Sequence, residues 1–339
     1  MTLRIGTRGS TLALAQTGHV ADALQAATGE DVEIVTVTTH GDTSRESLST
    51  IGGTGVFVNA LRDALLDDVC DLVVHSLKDL PTASIEGFTI AAVPPREDPR
   101  DALCATDGRG IDDLPAGARI GTGSPRRIAQ LRAARPDLEI VDIRGNIDSR
   151  LRRVVDGELD AVVLAAAGLT RIDRLDAVTG LFDIDSWPTA PGQGALAIEC
   201  LDREDSTIVG AVSTLEHAPS RWQIAAERAV LRRLEAGCAA PVGAAAWLDG
   251  DELVLQSAVY SLDGTRSIRK ESRARGFDGD GHGRELLHAA DALGIALADE
   301  LIGAGAADLA PLGPRSGSGF GTGLGSGSGF GTQSDGGSI

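Results

Sequence analysis

The sequence predicts an α/β protein in which two related units are followed by a smaller α+β unit. Strand and helix patterns alternate over roughly the first two hundred residues, an order that produces a mostly parallel sheet covered by helices. The proline-rich, charged segment Val93–Leu103 interrupts the alternation, which then begins again. A long helical pattern and alternating strand-like segments follow, which indicates that the last unit is built differently.

The first two units share the same kind of alternation. Ser10 is a residue type favoured at helix N-caps and precedes the first helical pattern. In the first unit, strands are predicted over Leu3–Thr7, Val32–Thr38, Asp71–Ser76 and Phe88–Val93, with helices over Thr11–Ala27 and Val56–Asp67. In the second unit, strand-turn segments are predicted over Ala118–Ser124, Leu138–Asn146 and Leu159–Leu169, with helices over Pro125–Ala134 and Ile147–Gly157.

The third unit begins with a long helical pattern over Pro219–Gly237. The pair Asp249-Gly250 between two apolar segments indicates a hairpin turn, and a final helix is predicted over about Arg284–Gly303. The tail from about Gly313 is rich in glycine and serine and contains "SGSGFGT" twice. Such a segment buries too little apolar surface to offset the entropy of ordering it, so we expect the tail to be disordered.

Composition and charge limit the function classes. Hydrophobic residues make up 42% of the chain and aromatic residues only 3%, so the cores are expected to be aliphatic. The net charge of −18 makes nucleic acid an unfavourable partner, because phosphate binding needs a basic surface. An acidic chain whose only lysines are Lys78 and Lys270 suits a salt-rich cytoplasm, and we expect a halophilic source.

The sequence shows neither a signal peptide nor an apolar run long enough to span a membrane, so we expect a cytoplasmic protein. Its four cysteines are far apart and form no CxxC pair, which argues against disulfides and a zinc site. The histidines show no metal-binding spacing, and no metal is expected. Three thiols, Cys70, Cys104 and Cys200, lie in or beside apolar segments and are expected to be core residues.

Cationic and polar side chains follow the predicted strands at their carboxyl ends, where open α/β sheets bind ligands. They are Arg8, Ser10, Lys78, Asp79, Ser124, Arg126, Arg127, Arg144, Arg150 and Arg171. Arginine binds carboxylate or phosphate groups through a planar fork, and helix N-termini add free N–H donors. The pattern predicts a polyanion site, and the alternative is a set of surface salt bridges with the abundant Asp and Glu.

Three further features suggest chemistry. Asp79 beside Lys78 could act as an acid or base or stabilise a cation, although a carboxylate before Pro81 could also be a plain turn residue. Cys238 lies among small residues in "EAGCAAPVG", which suits a thiol that reacts or carries a group as well as it suits a core thiol. The glycine-rich segment Ile51–Phe57 completes no nucleotide motif and is better interpreted as a lid.

Eight stretches together resemble the porphobilinogen deaminase (hydroxymethylbilane synthase) family, in the family's order and over about residues 3 to 310. They are "RIGTRGS", "GGTGVFV", "DLVVHSLKDLP", "EDPRDAL", "GTGSPRR", "IRGNIDSRL", "APGQGALAIEC" and "LEAGCAAPVG". The resemblance implies a transferase that joins four porphobilinogen molecules head to tail, releases four ammonia and hydrolyses the product to hydroxymethylbilane. This step belongs to tetrapyrrole biosynthesis, which leads to porphyrins and haem.

The resemblance also implies roles for individual residues. It places the thioether attachment of a dipyrromethane cofactor at Cys238 and the catalytic carboxylate at Asp79, which we interpret as a buried group beside a developing cation. Cofactor-binding residues would be Lys78, Ser124, Arg126, Arg127, Arg144 and Arg150. Substrate-binding residues would be Arg8, Ser10 and Arg171.

The family fold implied is α/β with three domains, the first two doubly wound like a type II periplasmic binding protein and the third a small α+β domain. We expect domain 1 at 1–94 plus 194–212, domain 2 at 100–188, domain 3 at 217–311 and the tail at 313–339. The expected partner is the small molecule porphobilinogen, with no nucleic acid or membrane, and the protein is expected to be a monomer.

One departure from the family pattern lies in the glycine segment, where bacterial relatives often carry lysines and this chain has Thr54 and Asn59. Lid contacts made by such lysines are therefore not expected here. The competing function is a non-catalytic anion-binding module of the two-domain solute-receptor type. That module would need neither Cys238, nor Asp79, nor a third domain. An inactive relative is a further alternative.

Overall fold

The computed structural model describes residues 2–37, 55–203, 206–237, 240–278 and 283–312. Over these residues the chain forms two five-stranded sheets and one three-stranded sheet. No helix within these ranges is long and apolar enough to cross a membrane. The predicted fold class, α/β with three domains, is confirmed.

The first sheet has the strand order β2-β1-β3-β10-β4. Its strands are β1 Thr2–Thr7, β2 Asp31–Thr36, β3 Leu72–Ser76, β4 Phe88–Ala92 and β10 Leu196–Leu201. Four strands run in one direction, and β10 lies antiparallel between β3 and β4. Helices α1, Thr11–Thr28, and α2, Gly55–Leu66, accompany this sheet, and the Ser10 hydroxyl caps α1 by accepting from Ala13 N at 3.2 Å, as predicted.

The second sheet repeats this arrangement in the order β7-β6-β8-β5-β9. Its strands are β5 Asp101–Ala105, β6 Arg119–Gly121, β7 Glu139–Val141, β8 Ala161–Ala165 and β9 Gly180–Leu181. Its helices are α3 Pro125–Ala134, α4 Ile147–Val155 and α5 Ala166–Arg171. Here β5 is the antiparallel strand, so the two units share one plan, as the alternation along the sequence indicated.

Two crossing segments join these units. The chain leaves the first sheet through residues 93–100 and returns through residues 182–195 before entering β10. The crossings touch at Gly194, where φ is +87° and an added Cβ would lie 2.5 Å from the carbonyl oxygen of Glu97. Glycine is therefore required there. The placement of β10 in the first sheet supports our domain limits, which remain a prediction.

The third sheet, with the order β11-β12-β13, packs against two helices. Its strands are β11 Val242–Asp249, β12 Glu252–Tyr260 and β13 Ser267–Arg275, and the hairpin predicted at Asp249-Gly250 is present. The helices are α7 Ala218–Arg233 and α8 Arg284–Gly303, and α6, Thr207–Ser213, precedes them. Helix α7 is shorter than predicted, because Glu235 adopts a left-handed conformation with φ 49°.

The third unit is attached to both crossings. The fully buried carboxylate of Glu227 on α7 accepts from Arg96 Nη1 at 2.7 Å in the first crossing and from Gly192 N at 2.7 Å in the second. It also accepts from Ala246 N on β11 at 2.8 Å. One carboxylate thereby holds the third unit against the segments that join the other two.

Candidate active site

The turn that carries Lys78 and Asp79 follows β3 directly and is a single 3₁₀ turn, Leu77–Asp79. Leu77 is buried and its N–H donates to the carbonyl of Ala195 at 3.0 Å, whereas Lys78 and Asp79 are exposed. The expectation of a buried Asp79 is therefore wrong, because Leu77 is the residue by which this turn enters the core. Gly192 packs closely here: with φ +80°, a Cβ on it would meet Leu77 Cδ2 at 2.8 Å.

Asp101, the first residue of β5, is fully buried and lies at the centre of the site. It accepts from Arg126 Nη1 at 2.8 Å, from Arg127 Nη2 at 2.6 Å and from Trp187 Nε1 at 2.8 Å. Burial alone would raise the pKa of Asp101, but the charges of Arg126 and Arg127 outweigh it and hold that pKa well below its usual range. Asp101 is therefore a permanent anion that orients two arginines.

Gln193, in the second crossing, links the first unit to this arginine pair. Its side-chain oxygen accepts from Lys78 Nζ at 3.3 Å and from Arg127 Nη2 at 3.3 Å. Its amide nitrogen donates to Asp101 Oδ1 at 2.8 Å and to the Pro99 carbonyl at 2.7 Å. The side chain is 1% exposed, so this uncharged residue joins cations from both units in a place that water barely reaches.

Lys78 is crowded by the site although water still reaches it. Burial by surrounding protein atoms lowers the pKa of Lys78 to about 8; Asp79 opposes this shift and Arg127 adds to it. With a pKa of about 8, the ammonium stays mostly protonated at neutral pH. Lys78 is thus a cation held close to other cations.

Arg126 and Arg127 do not form the surface salt bridges of the alternative interpretation. Arg126 and Arg127 are 4% and 6% exposed and both pair with the buried carboxylate of Asp101, and the charge of Asp101 also acts on Lys78. The Nε atoms of both arginines are buried and have no partner among the described residues. The site therefore carries an excess of positive charge in a chain whose net charge is −18.

Two further arginines complete what we call the cation cluster: Lys78, Arg126, Arg127, Arg150 and Arg171. Arg150 Nε donates to the Gly145 carbonyl at 2.9 Å, and its pKa is lowered first by burial and then by Arg127. Arg171 Nη2 donates to the Gly194 carbonyl at 2.6 Å, and burial lowers the pKa of Arg171 to about 10. The hydrogen bonds described for both are to main-chain carbonyls.

The remaining predicted residues, Arg8, Ser10, Ser124 and Arg144, lie at the same sheet edges but have fewer described contacts with the cation cluster. Ser10 and Ser124 cap α1 and α3, and Ser124 Oγ accepts from Arg127 N at 3.5 Å. Arg144 is exposed in the turn before α4, where its charge acts on Arg150. Arg8 is half-buried just after β1. The two units approach here, since a Cβ on Gly168 of α5 would lie 3.9 Å from Leu12 of α1.

Cys238 lies outside the described residues, as do Thr54 and most of the predicted lid segment. The other three thiols, Cys70, Cys104 and Cys200, are buried as predicted. Burial raises the pKa of Cys70 to about 11 and the pKa values of Cys104 and Cys200 to about 12. These thiols stay protonated and unreactive.

Sequence reasoning missed Asp101, Gln193 and Trp187 as contributors to the site. Asp101 and Gln193 lie inside the quoted stretches "EDPRDAL" and "APGQGALAIEC" but received no role. The sequence did offer a signal for Asp101, which is the one charged residue of the otherwise apolar strand "DALCA". A charge buried in such a strand needs partners of opposite charge, which predicts arginines around it.

The fold and the cation cluster define a class: a three-domain α/β protein with cations gathered where its first two units meet. Two family models match this chain. "Porphobilinogen deaminase, dipyromethane cofactor binding domain" matches residues 3–209, and "Porphobilinogen deaminase, C-terminal domain" matches residues 222–303. The chain belongs to the porphobilinogen deaminase family.

Curated relatives agree over nearly the whole length. The porphobilinogen deaminase of Leifsonia xyli subsp. xyli is 58% identical, with 91% of this chain and 94% of the relative covered. That of Thermobifida fusca is 52% identical, with 89% and 94% covered. Among solved structures, the methionine binding protein MetQ aligns with a TM-score of 0.42 at 11% identity, covering 63% of this chain and 89% of MetQ.

Proposed function

We propose that this chain is a hydroxymethylbilane synthase, which joins four porphobilinogen molecules head to tail with release of four ammonia and hydrolyses the chain to hydroxymethylbilane. The observation that carries this proposal is the cation cluster beside the exposed carboxylate of Asp79. Porphobilinogen bears acetate and propionate groups, which arginine forks and a lysine ammonium bind. Family membership supports the same reaction.

The residues present fit a dipyrromethane cofactor, whose pyrrole rings also carry carboxylates. Among the described residues, Asp101 is the only carboxylate that pairs with the buried Arg126 and Arg127, and a buried nitrogen of each arginine has no partner there. An anionic group would remove that imbalance. The cofactor supplies the growing end to which substrate is added. We propose its thioether attachment at Cys238, and Lys78, Ser124, Arg126, Arg127, Arg144 and Arg150 as its binding residues.

In the proposed mechanism Asp79 is the catalytic residue, and its exposure places the carboxylate where substrate can reach it. Porphobilinogen loses its amine and a pyrrole cation develops, which a carboxylate at hydrogen-bond distance stabilises electrostatically. The same carboxylate can accept a hydrogen bond from the protonated amine and so keep it in the form that leaves as ammonia. Arg8, Ser10 and Arg171 would hold the substrate carboxylates and align the reacting carbons.

We also propose that the enzyme is a cytoplasmic monomer that tolerates salt. Buried, reduced thiols at Cys70, Cys104 and Cys200 support a reducing cytoplasm. The net charge of −18 supports solubility as a monomer and tolerance of salt. Sedimentation and activity measured from low to molar salt test these points; an obligate oligomer or inactivation by salt would contradict them.

The test of the function is consumption of porphobilinogen by the purified protein, with ammonia release and the porphyrin formed from the product as readouts. We expect activity, a loss of at least about a hundredfold in kcat for Asp79→Asn, and an unchanged rate for Glu86→Gln, which alters an exposed carboxylate near the same turn. A wild-type protein that binds porphobilinogen without consuming it would overturn the proposal in favour of an anion-binding module. Full activity of Asp79→Asn would overturn the role of Asp79.

A further inference from the structure

Arg228 reaches from α7 of the third unit to the turn that carries Asp79. Its Nη1 donates to the carbonyls of Leu77 at 3.3 Å and Leu80 at 3.0 Å, and its Nη2 donates to the carbonyl of Pro81. Leu77 precedes Asp79 in the chain, and Leu80 and Pro81 follow it. One side chain therefore holds the backbone on both sides of the proposed catalytic residue.

No carboxylate among the described residues pairs with the charge of Arg228. Every hydrogen-bond acceptor that the described residues offer it is a main-chain carbonyl, and none is a carboxylate. Burial lowers the pKa of Arg228 to about 10, with a further contribution from Arg232. Partly desolvating a cation without an ion pair is costly, so a residue kept only for packing would be better apolar. The value of an arginine here lies in its rigid fork of donors, which spans several carbonyls.

The turn Leu77–Asp79 depends on its contact with Arg228, because few hydrogen bonds within the turn hold its backbone. Within it, a single hydrogen bond runs from Leu80 N to the Leu77 carbonyl at 3.1 Å. The side chain of Asp79 is exposed and receives no hydrogen bond from any residue in the described ranges. The position of its carboxylate is therefore set by the backbone that carries it.

We propose that Arg228 is a positioning residue for Asp79, acting through the carbonyls of Leu77, Leu80 and Pro81. This inference rests on the proposed function, in which Asp79 performs the chemistry. It gives the third unit a part in each condensation step: helix α7 fixes where the catalytic carboxylate lies. Displacing a catalytic group by about an ångström costs up to a hundredfold in rate, whereas substrate affinity depends on the cation cluster and is unaffected.

The experiment compares wild-type enzyme with Arg228→Met, which keeps the apolar stem, and Arg228→Lys, which keeps the charge but not the fork. Arg232→Met is the matched control, since Arg232 lies one turn further along α7 and pairs with Asp291 of α8 on the surface. For each we measure kcat, KM, the intact mass that reports the attached cofactor, and the thermal midpoint. We expect kcat to fall about ten- to a hundredfold in Arg228→Met, less in Arg228→Lys and not in Arg232→Met, with KM and cofactor mass unchanged.

An unchanged kcat in Arg228→Met would overturn the inference. So would a rise in KM that accounts for the whole loss of rate, because Arg228 would then bind substrate. If Arg228→Met does not fold, Arg228→Lys decides: a lower kcat at unchanged KM and cofactor mass supports the inference, and a wild-type kcat overturns it. Failure of the proposed function is a different result, namely wild-type enzyme that consumes no porphobilinogen.

Discussion

Lys78 and Arg127, which come from the two different α/β units, donate to the same atom: Nζ of Lys78 and Nη2 of Arg127 each lie 3.3 Å from Oε1 of Gln193. A neutral amide thus holds two like charges close together without cancelling either. Both cations keep their capacity to bind carboxylates, and their separation is fixed before a ligand arrives.

Replacing Gln193 with methionine removes the shared acceptor at nearly constant volume. We expect kcat/KM for porphobilinogen to fall about tenfold or more, because Lys78 and Arg127 lose the bonds that place them and each such bond contributes about 1.5–3 kcal/mol. Steady-state kinetics measure this. The control Gln223→Met alters a glutamine on α7 whose contact with Arg96 is longer, 3.4 Å, and is expected to retain kcat/KM. Equal kinetics for the two variants would show that Gln193 does not organise the site.

Asp101→Asn tests whether that carboxylate holds the buried arginines in place. Its loss leaves Arg126 and Arg127 buried without their anion, and we expect the free energy of unfolding to fall by about 3–5 kcal/mol. Asp98→Asn is the matched control, because Asp98 pairs with Arg100 in a partly exposed bridge, with side chains 31% and 40% exposed. There the expected loss is about 0–1 kcal/mol. Urea denaturation of both variants gives the comparison, and similar losses would contradict the account.

The pKa of Lys78 can be observed directly, because Lys78 and Lys270 are the only lysines in the chain. In protein carrying Cys238→Ser, which lacks the proposed attachment point, ¹³C-lysine NMR should show one Cε signal titrating near the Lys78 pKa of about 8. Lys78→Arg assigns the signal by removing it. The ammonium is charged below that pKa and loses its charge as pH rises through it, so carboxylate binding by apoprotein should weaken over the same range. Titration of Lys78 only above about pH 10, its ordinary range, would contradict this.

Gly194→Ala tests the contact between the two crossings. At φ +87° and with a carbonyl oxygen 2.5 Å from the new Cβ, alanine is expected to cost more than the roughly 1 kcal/mol typical of strain at such a position. Gly18→Ala, in the middle of α1 with open space around it, should instead stabilise by up to about 1 kcal/mol. Thermal unfolding compares the signs, and stabilisation by both substitutions would refute the close packing of the crossings.

Periodicity was sufficient to predict most elements. Helix α8 spans Arg284–Gly303 as expected, and the strand before Lys78 ends at Ser76, because the spacing of apolar residues acts locally. The exposure of Asp79 was not predictable, because a turn has no periodicity that shows which side chain enters the core. The hydrogen bonds of Gln193 and Arg228 join residues distant in sequence, and such pairings are decided by tertiary packing that one chain's pattern does not reveal.

The central claim is that this chain builds its product on a covalently held dipyrromethane, and intact mass spectrometry of purified protein tests it most directly. Wild-type protein should exceed its sequence mass by two linked pyrrole units, Cys238→Ser should show the sequence mass alone, and Cys70→Ser should keep the excess because Cys70 is a buried core thiol. Brief exposure of wild-type protein to porphobilinogen should add further single-pyrrole increments. Folded wild-type protein at its bare sequence mass, with no increments after porphobilinogen is added, would contradict the account.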